Sequence, residues 1–75
     1  MRAYVLVNAS PGRTLELAQR ILNIEGVQAS DPITGEHDIV VICEAADISA
    51  LGTLIVQGIQ RLDGIFKTTT CLVVT

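Results

Sequence analysis

The chain alternates short apolar runs with stretches in which apolar residues recur every three or four positions. Runs of this length, rich in Val, Ile and Leu and bounded by Gly, Pro, Asn or Asp, are typical of β-strands. They predict four strands, over residues 2–8, 27–33, 38–44 and 65–74. Because Pro32 cannot donate to a sheet ladder, we expect the second strand at an edge of the sheet.

Two amphipathic helices are predicted between these strands. Ser10 is a plausible N-cap and Pro11 suits a first helical turn, so the first helix is predicted from there to about Asn23. Asp47 is the expected N-cap of the second helix, which reaches about Arg61. The apolar face of the first helix consists of Leu15, Ala18, Ile21 and Leu22, and that of the second of Ile48, Leu51, Ile55 and Ile59.

The predicted element order is β-α-β-β-α-β, and a weak internal repeat supports it. Residues 21–27 and 59–65 each end a helix, pass an acidic residue and a glycine, and enter a strand. Two β-α-β halves joined by a hairpin form the ferredoxin-like fold, an α+β architecture with both helices on one face of an antiparallel sheet. The right-handed crossover rule gives the sheet order 4-1-3-2. We expect a single domain over residues 1–75.

The alternation of side chains predicts an apolar sheet face that the helices leave uncovered. One face is predicted to carry Tyr4, Leu6, Val40, Ile42, Leu72 and Val74, and the other Val5, Val7, Ile39, Val41 and Val73. Since only one face lies under the helices, the other must meet a partner, most simply the same face of a second copy. Hydrophobic residues make up 49% of the chain, more than so small a domain easily hides, which also favours a homodimer.

Charge and cysteine usage exclude several functional classes. The net charge is −3 and the five basic residues are scattered, so direct nucleic-acid binding is not expected. No apolar run reaches the length of a membrane span, and the N-terminus lacks a signal-peptide layout, which predicts a cytoplasmic protein. Cys43 and Cys71 would be separated by the first strand, beyond disulfide reach. Their spacing to His37 fits no metal motif, so neither metal nor cofactor is predicted.

The most informative polar segment is the turn around Gly35, between the second and third strands. Glycine supplies the backbone angles of a tight hairpin. Glu36 and Asp38 offer carboxylates to a cation, and nearby backbone N–H groups offer donors to an anion, which together match a free amino acid. His37 is the one imidazole. It is interpreted as an exposed turn histidine or a pH-sensitive interface contact, because no oriented nucleophile accompanies it; we therefore predict no enzyme.

A second polar cluster lies in the last strand. Period-two alternation places Thr68 and Thr70 on one face and Thr69 on the other. Threonine is simply a good strand former, which is one interpretation. The other is that the hydroxyl groups bond to a ligand or to a neighbouring subunit.

These features together resemble the Lrp/AsnC family, specifically its effector-binding domain for the regulation of amino-acid metabolism. The resemblance covers essentially the whole chain. It rests on Pro11-Gly12, Gly26-Val27, the Thr34-Gly35-x-x-Asp38 hairpin, Gly64-Ile65 and Thr68-x-Thr70. It implies dimerisation through the sheets, higher oligomers of dimers, and amino-acid effectors bound between dimers near the hairpin. By position, Gly35 and Asp38 would be ligand or assembly contacts, with Thr68 and Thr70 nearby.

The chain differs from the family's transcription factors at its N-terminus. Those regulators carry an N-terminal helix-turn-helix domain, whereas this chain begins at the first strand of the effector domain. The resemblance therefore implies a stand-alone member without a DNA-binding domain, or a fragment cut at that boundary, and Met1 favours the former. Full-length Lrp/AsnC regulators are then possible partners.

We therefore predict an amino-acid-sensing oligomerisation module. Asp38, helped by Glu36, would hold the ammonium of a free amino acid, acting between chains and not within one. The backbone around Gly35 and the hydroxyl groups of the threonines would hold the carboxylate; the predicted ligand-binding set is Thr34, Gly35, Glu36, Asp38, Thr68 and Thr70. Two alternatives stay open: a ligand-independent structural partner of full-length regulators, and a small dimeric ferredoxin-like enzyme. An ACT domain, another ligand-binding regulator, shares the predicted topology.

Overall fold

The structure, a computed structural model, describes residues 1–74 as one four-stranded sheet with two helical segments. The strands are β1 (Arg2–Ala9), β2 (Val27–Pro32), β3 (Ile39–Glu44) and β4 (Ile65–Leu72). Helix α1 spans Thr14–Leu22. Helix α2 spans Ile48–Thr53 and continues directly as a π-helical segment over Leu54–Ile59. The predicted β-α-β-β-α-β order is confirmed.

Strand β1 is at the centre of the sheet. The order is β2-β3-β1-β4, which is the predicted 4-1-3-2 counted from the other edge, and every pairing is antiparallel. β1 pairs with β3 from Arg2↔Glu44 to Val7↔Ile39, and with β4 from Ala3↔Leu72 to Ala9↔Ile65. Pro32 ends the edge strand β2, as its missing donor predicts.

One face of the sheet is buried beneath both helices. Every second residue of β1, namely Ala3, Val5, Val7 and Ala9, is buried on this face. The core is completed by Leu17, Ala18 and Ile21 of α1, by Leu51, Ile55 and Ile59 of the second helical segment, and by Ile39, Val41 and Cys43 of β3. Each large aliphatic side chain buried here contributes roughly 1.5–3 kcal/mol. The expected α+β ferredoxin-like fold with two helices on one face is confirmed.

The predicted faces are correct for β1 and β3 but wrong for β4. Leu72 lies opposite Ala3, on the helix-covered face, whereas Cys71 lies opposite Tyr4 on the open one. The pairing shifts between Asn8 and Ala9, where β4 carries an extra residue, Phe66. Since a one-residue shift moves every side chain to the other face, periodicity within β4 did not determine which face each residue takes.

The start of α1 differs from the prediction, whereas the start of α2 agrees with it. The Asp47 side chain accepts a hydrogen bond from the Ala50 N–H (2.8 Å), as an N-cap does. Ser10 is not an N-cap, because α1 begins only at Thr14. Its carbonyl accepts instead from the N–H of Arg13 (3.1 Å). Gly12, at φ +81°, and the preceding proline form the central pair of a Pro-Gly turn of type II, which ends before the helix starts.

The second helix is not the uniform α-helix that was predicted up to Arg61. After Thr53 it widens, and the N–H of Gln60 donates to the carbonyl of Ile55 (2.8 Å), five residues earlier. Gly58 lies against Ile24, where an added Cβ would be 3.1 Å from the nearest side-chain atom. The wide turn and this close contact determine where Gln60 leaves the helix.

The two cysteines are free, as predicted. Cys43 is buried on β3, opposite Ala3, and Cys71 is exposed on β4, on the opposite face of the sheet. Within residues 1–74, no helix has both the length and the apolar character needed to cross a bilayer.

Leu17 and Leu15 on α1 provide a matched test of this core. Leu17 is fully buried and Leu15 is 72% exposed. We expect Leu17→Ala to lower the free energy of unfolding by about 2–5 kcal/mol, because it removes transfer energy and leaves a cavity. Leu15→Ala should change it by no more than about 0.5 kcal/mol. Urea unfolding at one fixed protein concentration measures both, and equal losses would contradict the packing described here.

Candidate functional site

The predicted hairpin is present and closes one end of the sheet. The N–H of Ile33 donates to the carbonyl of Asp38 (2.8 Å), which joins the two ends of the loop. Gly35, between them, has φ +146°, and an added Cβ would meet nothing within 4 Å. The backbone conformation, and not lack of space, therefore requires glycine here. Thr34 and Glu36, on either side, are exposed.

Asp38 attaches the hairpin to the central strand. Its N–H donates to the carbonyl of Val7 (2.8 Å), and its Oδ2 accepts from the N–H of Ala9 (2.9 Å). Ala9 is where the pairing with β4 shifts, so the side chain satisfies a backbone donor where the ladder is irregular. We expected Asp38 to act between chains and not within one. The expectation that it does not act within one chain is wrong, because its side chain binds Ala9 of the same chain. A contact of Asp38 between chains stays a prediction. Of the two carboxylate oxygens of Asp38, only Oδ1 has no hydrogen-bond partner within residues 1–74.

Asn8, which the sequence analysis did not select, makes the second attachment. Its Nδ2 donates to the carbonyl of Glu36 (2.8 Å), and its Oδ1 lies 3.1 Å from Nδ1 of His37. The available signal was weak: a polar residue in a strand whose other open-face positions include Tyr4 and Leu6. The hairpin is thus held by the last three residues of β1, Val7, Asn8 and Ala9.

Thr68 lies at the same end of the sheet as the hairpin, and Thr70 lies further along it. Val7 pairs with both Ile39 and Thr68, so these three residues form one row across the sheet. Thr70 belongs to the row of Val5. As predicted, Thr68 and Thr70 share a face. Two inter-strand spacings, about 9.5 Å, separate β3 from β4.

A depression of about 290 Å³ lies beside Thr68, at the edge strand. It is lined by Gln60, Ile65, Phe66, Lys67 and Thr68. The Nε2 of Gln60 donates to the hydroxyl of Thr68 (2.7 Å), a contact between the end of the π-helical segment and β4. An amide, an ammonium and a hydroxyl group can together donate hydrogen bonds to a carboxylate. The sequence analysis missed Gln60 and Lys67, and of the predicted residues only Thr68 lines this depression.

Within the described residues, the site contains no metal centre. No three side chains of the types His, Cys, Asp and Glu come close enough to hold an ion among residues 1–74. What the two polar groups of residues offer is hydrogen bonding and charge: carboxylates at the hairpin, and donors at the start of β4.

Comparison with known proteins places this arrangement among regulators. The family described as Lrp/AsnC ligand binding domain matches residues 2–75. The HTH-type transcriptional regulator LysM of Sulfurisphaera tokodaii is 31% identical over 74 residues, which are 97% of this chain and 52% of LysM. The chain thus spans about half the length of that curated relative.

Two solved structures illustrate the similarity of fold. TTHA0845 from Thermus thermophilus superposes with a TM-score of 0.93 at 28% identity, covering 99% of this chain and 92% of its own. The transcriptional regulator NMB0573 from Neisseria meningitidis, solved as an L-Met complex, superposes with a TM-score of 0.87. It is 17% identical, and the match covers 99% of this chain and 49% of NMB0573.

The two acidic residues of the hairpin provide a test of its attachment to β1. Asp38→Ala leaves the N–H of Ala9 without its acceptor, so we expect a loss of about 1–3 kcal/mol in the free energy of unfolding. Glu36→Ala is the control, because the exposed carboxylate of Glu36 makes no hydrogen bond within residues 1–74, and should cost no more than about 0.5 kcal/mol. Urea unfolding compares them, and an equal cost would show that the Asp38 contact is not stabilising.

Proposed function

The chain belongs to the family of Lrp/AsnC ligand-binding domains, whose members are transcriptional regulators and not enzymes, and we propose that it senses a free amino acid. The observation that carries the proposal is the polar end of the sheet. There, the hairpin carboxylates and the hydrogen-bond donors Gln60, Lys67 and Thr68 lie at the same end of the sheet, on opposite sides of β1. A zwitterion needs both kinds of partner. The meningococcal regulator solved with L-Met shares this fold, which supports amino acids as the ligand class.

We assign the ammonium group of the ligand to the hairpin. Oδ1 of Asp38 and the carboxylate of Glu36 are hairpin acceptors that have no hydrogen-bond partner within residues 1–74. Thr34 and the backbone at Gly35 form the exposed rim of the same loop. The carboxylate group of the ligand is assigned to the start of β4, where Thr68 lies in the depression and Thr70 follows it along the strand.

The distance between these two groups of residues supports a site shared by two copies. The ammonium and the carboxylate of an amino acid are joined through one carbon atom. β3, which the hairpin precedes, and β4 are two inter-strand spacings apart, about 9.5 Å across the sheet. One copy therefore supplies one half of the contacts to a given ligand, and a neighbouring copy supplies the other half. Ligand binding then changes assembly, because it adds contacts that only the assembled form makes.

The open face of the sheet is the proposed dimer interface. The apolar side chains Tyr4, Leu6, Val40 and Ile42 lie there, away from both helices and only half-buried in the isolated chain. An apolar face of this kind is stabilised by packing against a second sheet. The hairpins and the β4 edges remain free for contacts between dimers. The proposed role is a cytoplasmic one.

A ligand-independent structural role is the second candidate function. The match between 97% of this chain and about half of LysM favours it, because full-length regulators contain a domain of the same kind. Such a partner would co-assemble with them through the same sheet face.

Thermal-shift measurement with each of the twenty amino acids tests the sensing proposal. A ligand at 100 times its dissociation constant stabilises by about 2.7 kcal/mol, which raises the melting temperature by roughly 10–20 °C in a domain of this size. We expect Gln60→Ala to abolish this shift, since it removes a donor at the depression. Gln57→Ala, an exposed change one turn earlier, should retain it.

Two results would contradict the proposal. If no amino acid raises the melting temperature, sensing is wrong. The structural role is then tested by mixing the chain with a full-length regulator and measuring the mass by light scattering. If the Gln60 and Gln57 variants behave alike, the ligand does not use the depression.

Matched isoleucine variants test the dimer interface. Ile42 lies on the open sheet face, whereas Ile48 is 60% exposed on α2, on the helical side. We expect Ile42→Glu to give a monomer in light scattering, because it buries a charge in the interface. Ile48→Glu should leave the wild-type mass, and equal masses for all three proteins would contradict this interface.

Thiol labelling gives an independent measurement on the same proteins. Cys71 lies on the open face and should react slowly in the dimer and quickly in the Ile42→Glu monomer. Burial raises the pKa of the Cys43 thiol, so Cys43 should stay unreactive in both until the protein unfolds.

A further inference from the structure

The contact between Asn8 and His37 determines which nitrogen of the imidazole carries the proton. The Asn8 amide group donates through Nδ2 to the carbonyl of Glu36, which can only accept. Turning the amide over would place two oxygens against each other, so Oδ1 must face the ring of His37. Because Oδ1 can only accept, Nδ1 of His37 must be the donor. The neutral ring is therefore the Nδ1–H tautomer.

The other ring nitrogen, Nε2, is left as an acceptor open to solvent. Within residues 1–74, Nε2 has no hydrogen-bond partner. Nε2 is not buried, because Ser30 Oγ, in β2, is the one buried side-chain polar atom without a partner among those residues. In the neutral ring Nε2 carries a lone pair and accepts hydrogen bonds. In the protonated ring both nitrogens donate, and the bond from Nδ1 to Asn8 is retained and becomes charge-assisted. Protonation thus changes what the hairpin presents without breaking the contact that holds it.

The charged groups nearest to His37 come from the hairpin and from β4. The hairpin contributes Glu36 and Asp38. β1 contributes only the uncharged Asn8, and β4 contributes Lys67, which pairs with Asn8. In the loop that follows β1, the guanidinium of Arg13 is already paired with Glu16 and Asp63.

We infer that His37 is a ligand-binding residue of the hairpin, held by Asn8 so that Nε2 accepts a hydrogen bond from the ammonium of a ligand and loses this ability on protonation. The inference rests on the proposed function for the identity of the ligand, but the tautomer does not depend on it. Protonation of the ring would therefore weaken ligand binding, because Nε2 would then donate a hydrogen bond instead of accepting one. Asn8 is then a positioning residue, which acts through His37.

The tautomer is tested directly by NMR of the imidazole nitrogens, and His37 is the one histidine of the chain. A long-range ¹H–¹⁵N correlation spectrum at about pH 8 distinguishes the protonated nitrogen from the unprotonated one. We expect a protonated Nδ1. Asn8→Ala should lose this preference, and Asn8→Asp should keep it because a carboxylate still accepts. Asn23→Ala, an exposed change at the end of α1, is the control and should match the wild type.

Either of two NMR results would overturn the assignment of the tautomer. One is a wild-type spectrum in which Nε2 carries the proton at neutral pH. The other is a spectrum that Asn8→Ala leaves unchanged, which would show that Asn8 does not hold the ring.

The ligand-facing role is tested with the twenty amino acids as probes, by thermal shift followed by calorimetric titration of those that bind, at about pH 8 and about pH 5. We expect binding to the wild type to weaken roughly tenfold at the lower pH, since one charge-assisted hydrogen bond is replaced by repulsion. His37→Asn keeps a donor near the position of Nδ1 and does not titrate. This variant should lose the part of the pH dependence of binding that comes from His37. Any part that comes from Glu36 and Asp38 should remain.

The outcomes separate this inference from the proposed function. Equal pH dependence in the wild type and in His37→Asn would overturn the ligand-facing role while leaving amino-acid sensing intact. If no amino acid binds at either pH, sensing fails and the ligand-facing role fails with it. The NMR result still decides whether Asn8 fixes the tautomer.

Discussion

The arrangement of this molecule depends on the burial of one face of a single central strand. Ala3, Val5, Val7 and Ala9 are packed beneath both helices, and β1 pairs along nearly its whole length with β3 on one side and β4 on the other. Register is strongly specified wherever one sheet face is buried, because a one-residue slip exposes the whole apolar set. Pairing with this strand positions β3 and β4, and β2 is positioned in turn by its pairing with β3.

The polar end of the sheet is a direct consequence of that alternation. Asn8 is the position of β1 that follows Leu6 on the open face, and Ala9 is the last residue buried on the other. One provides a side chain and the other a backbone N–H to the same hairpin, through Glu36 and Asp38. The loop is therefore held from both sides of the strand. A site held in this way needs little rearrangement on binding, which reduces the entropic cost of association.

The proposed assembly and the proposed amino-acid sensing depend on the same geometry. The apolar face that the helices leave open has no means of burial within one copy, so it favours a second sheet. Once two sheets are packed together, the hairpins and the β4 edges are the polar parts that remain available. A free amino acid needs both kinds of group, so its binding would favour contact between the hairpin of one copy and the β4 edge of another. This arrangement would make a ligand a determinant of assembly, and His37 would make that effect depend on pH.

The sequence by itself determined those features of the fold that depend on residues adjacent along the chain. Periodicity gave the element order, Asp47 marked the start of α2, and Gly35 marked the hairpin, because each reflects the local conformational preference of a few adjacent residues. The contiguous part of the candidate site, residues 34–38, was readable for the same reason. The sheet order then followed from the right-handed crossover rule. Only the tertiary structure decided which face of β4 carries Leu72, that Asp38 bonds to Ala9, and that Gln60 reaches Thr68. These contacts depend on a register shift at Phe66, on the pairing of distant strands and on a widened helical turn. No local preference encodes them, because they arise only when the buried face of β1 aligns segments that are far apart along the chain.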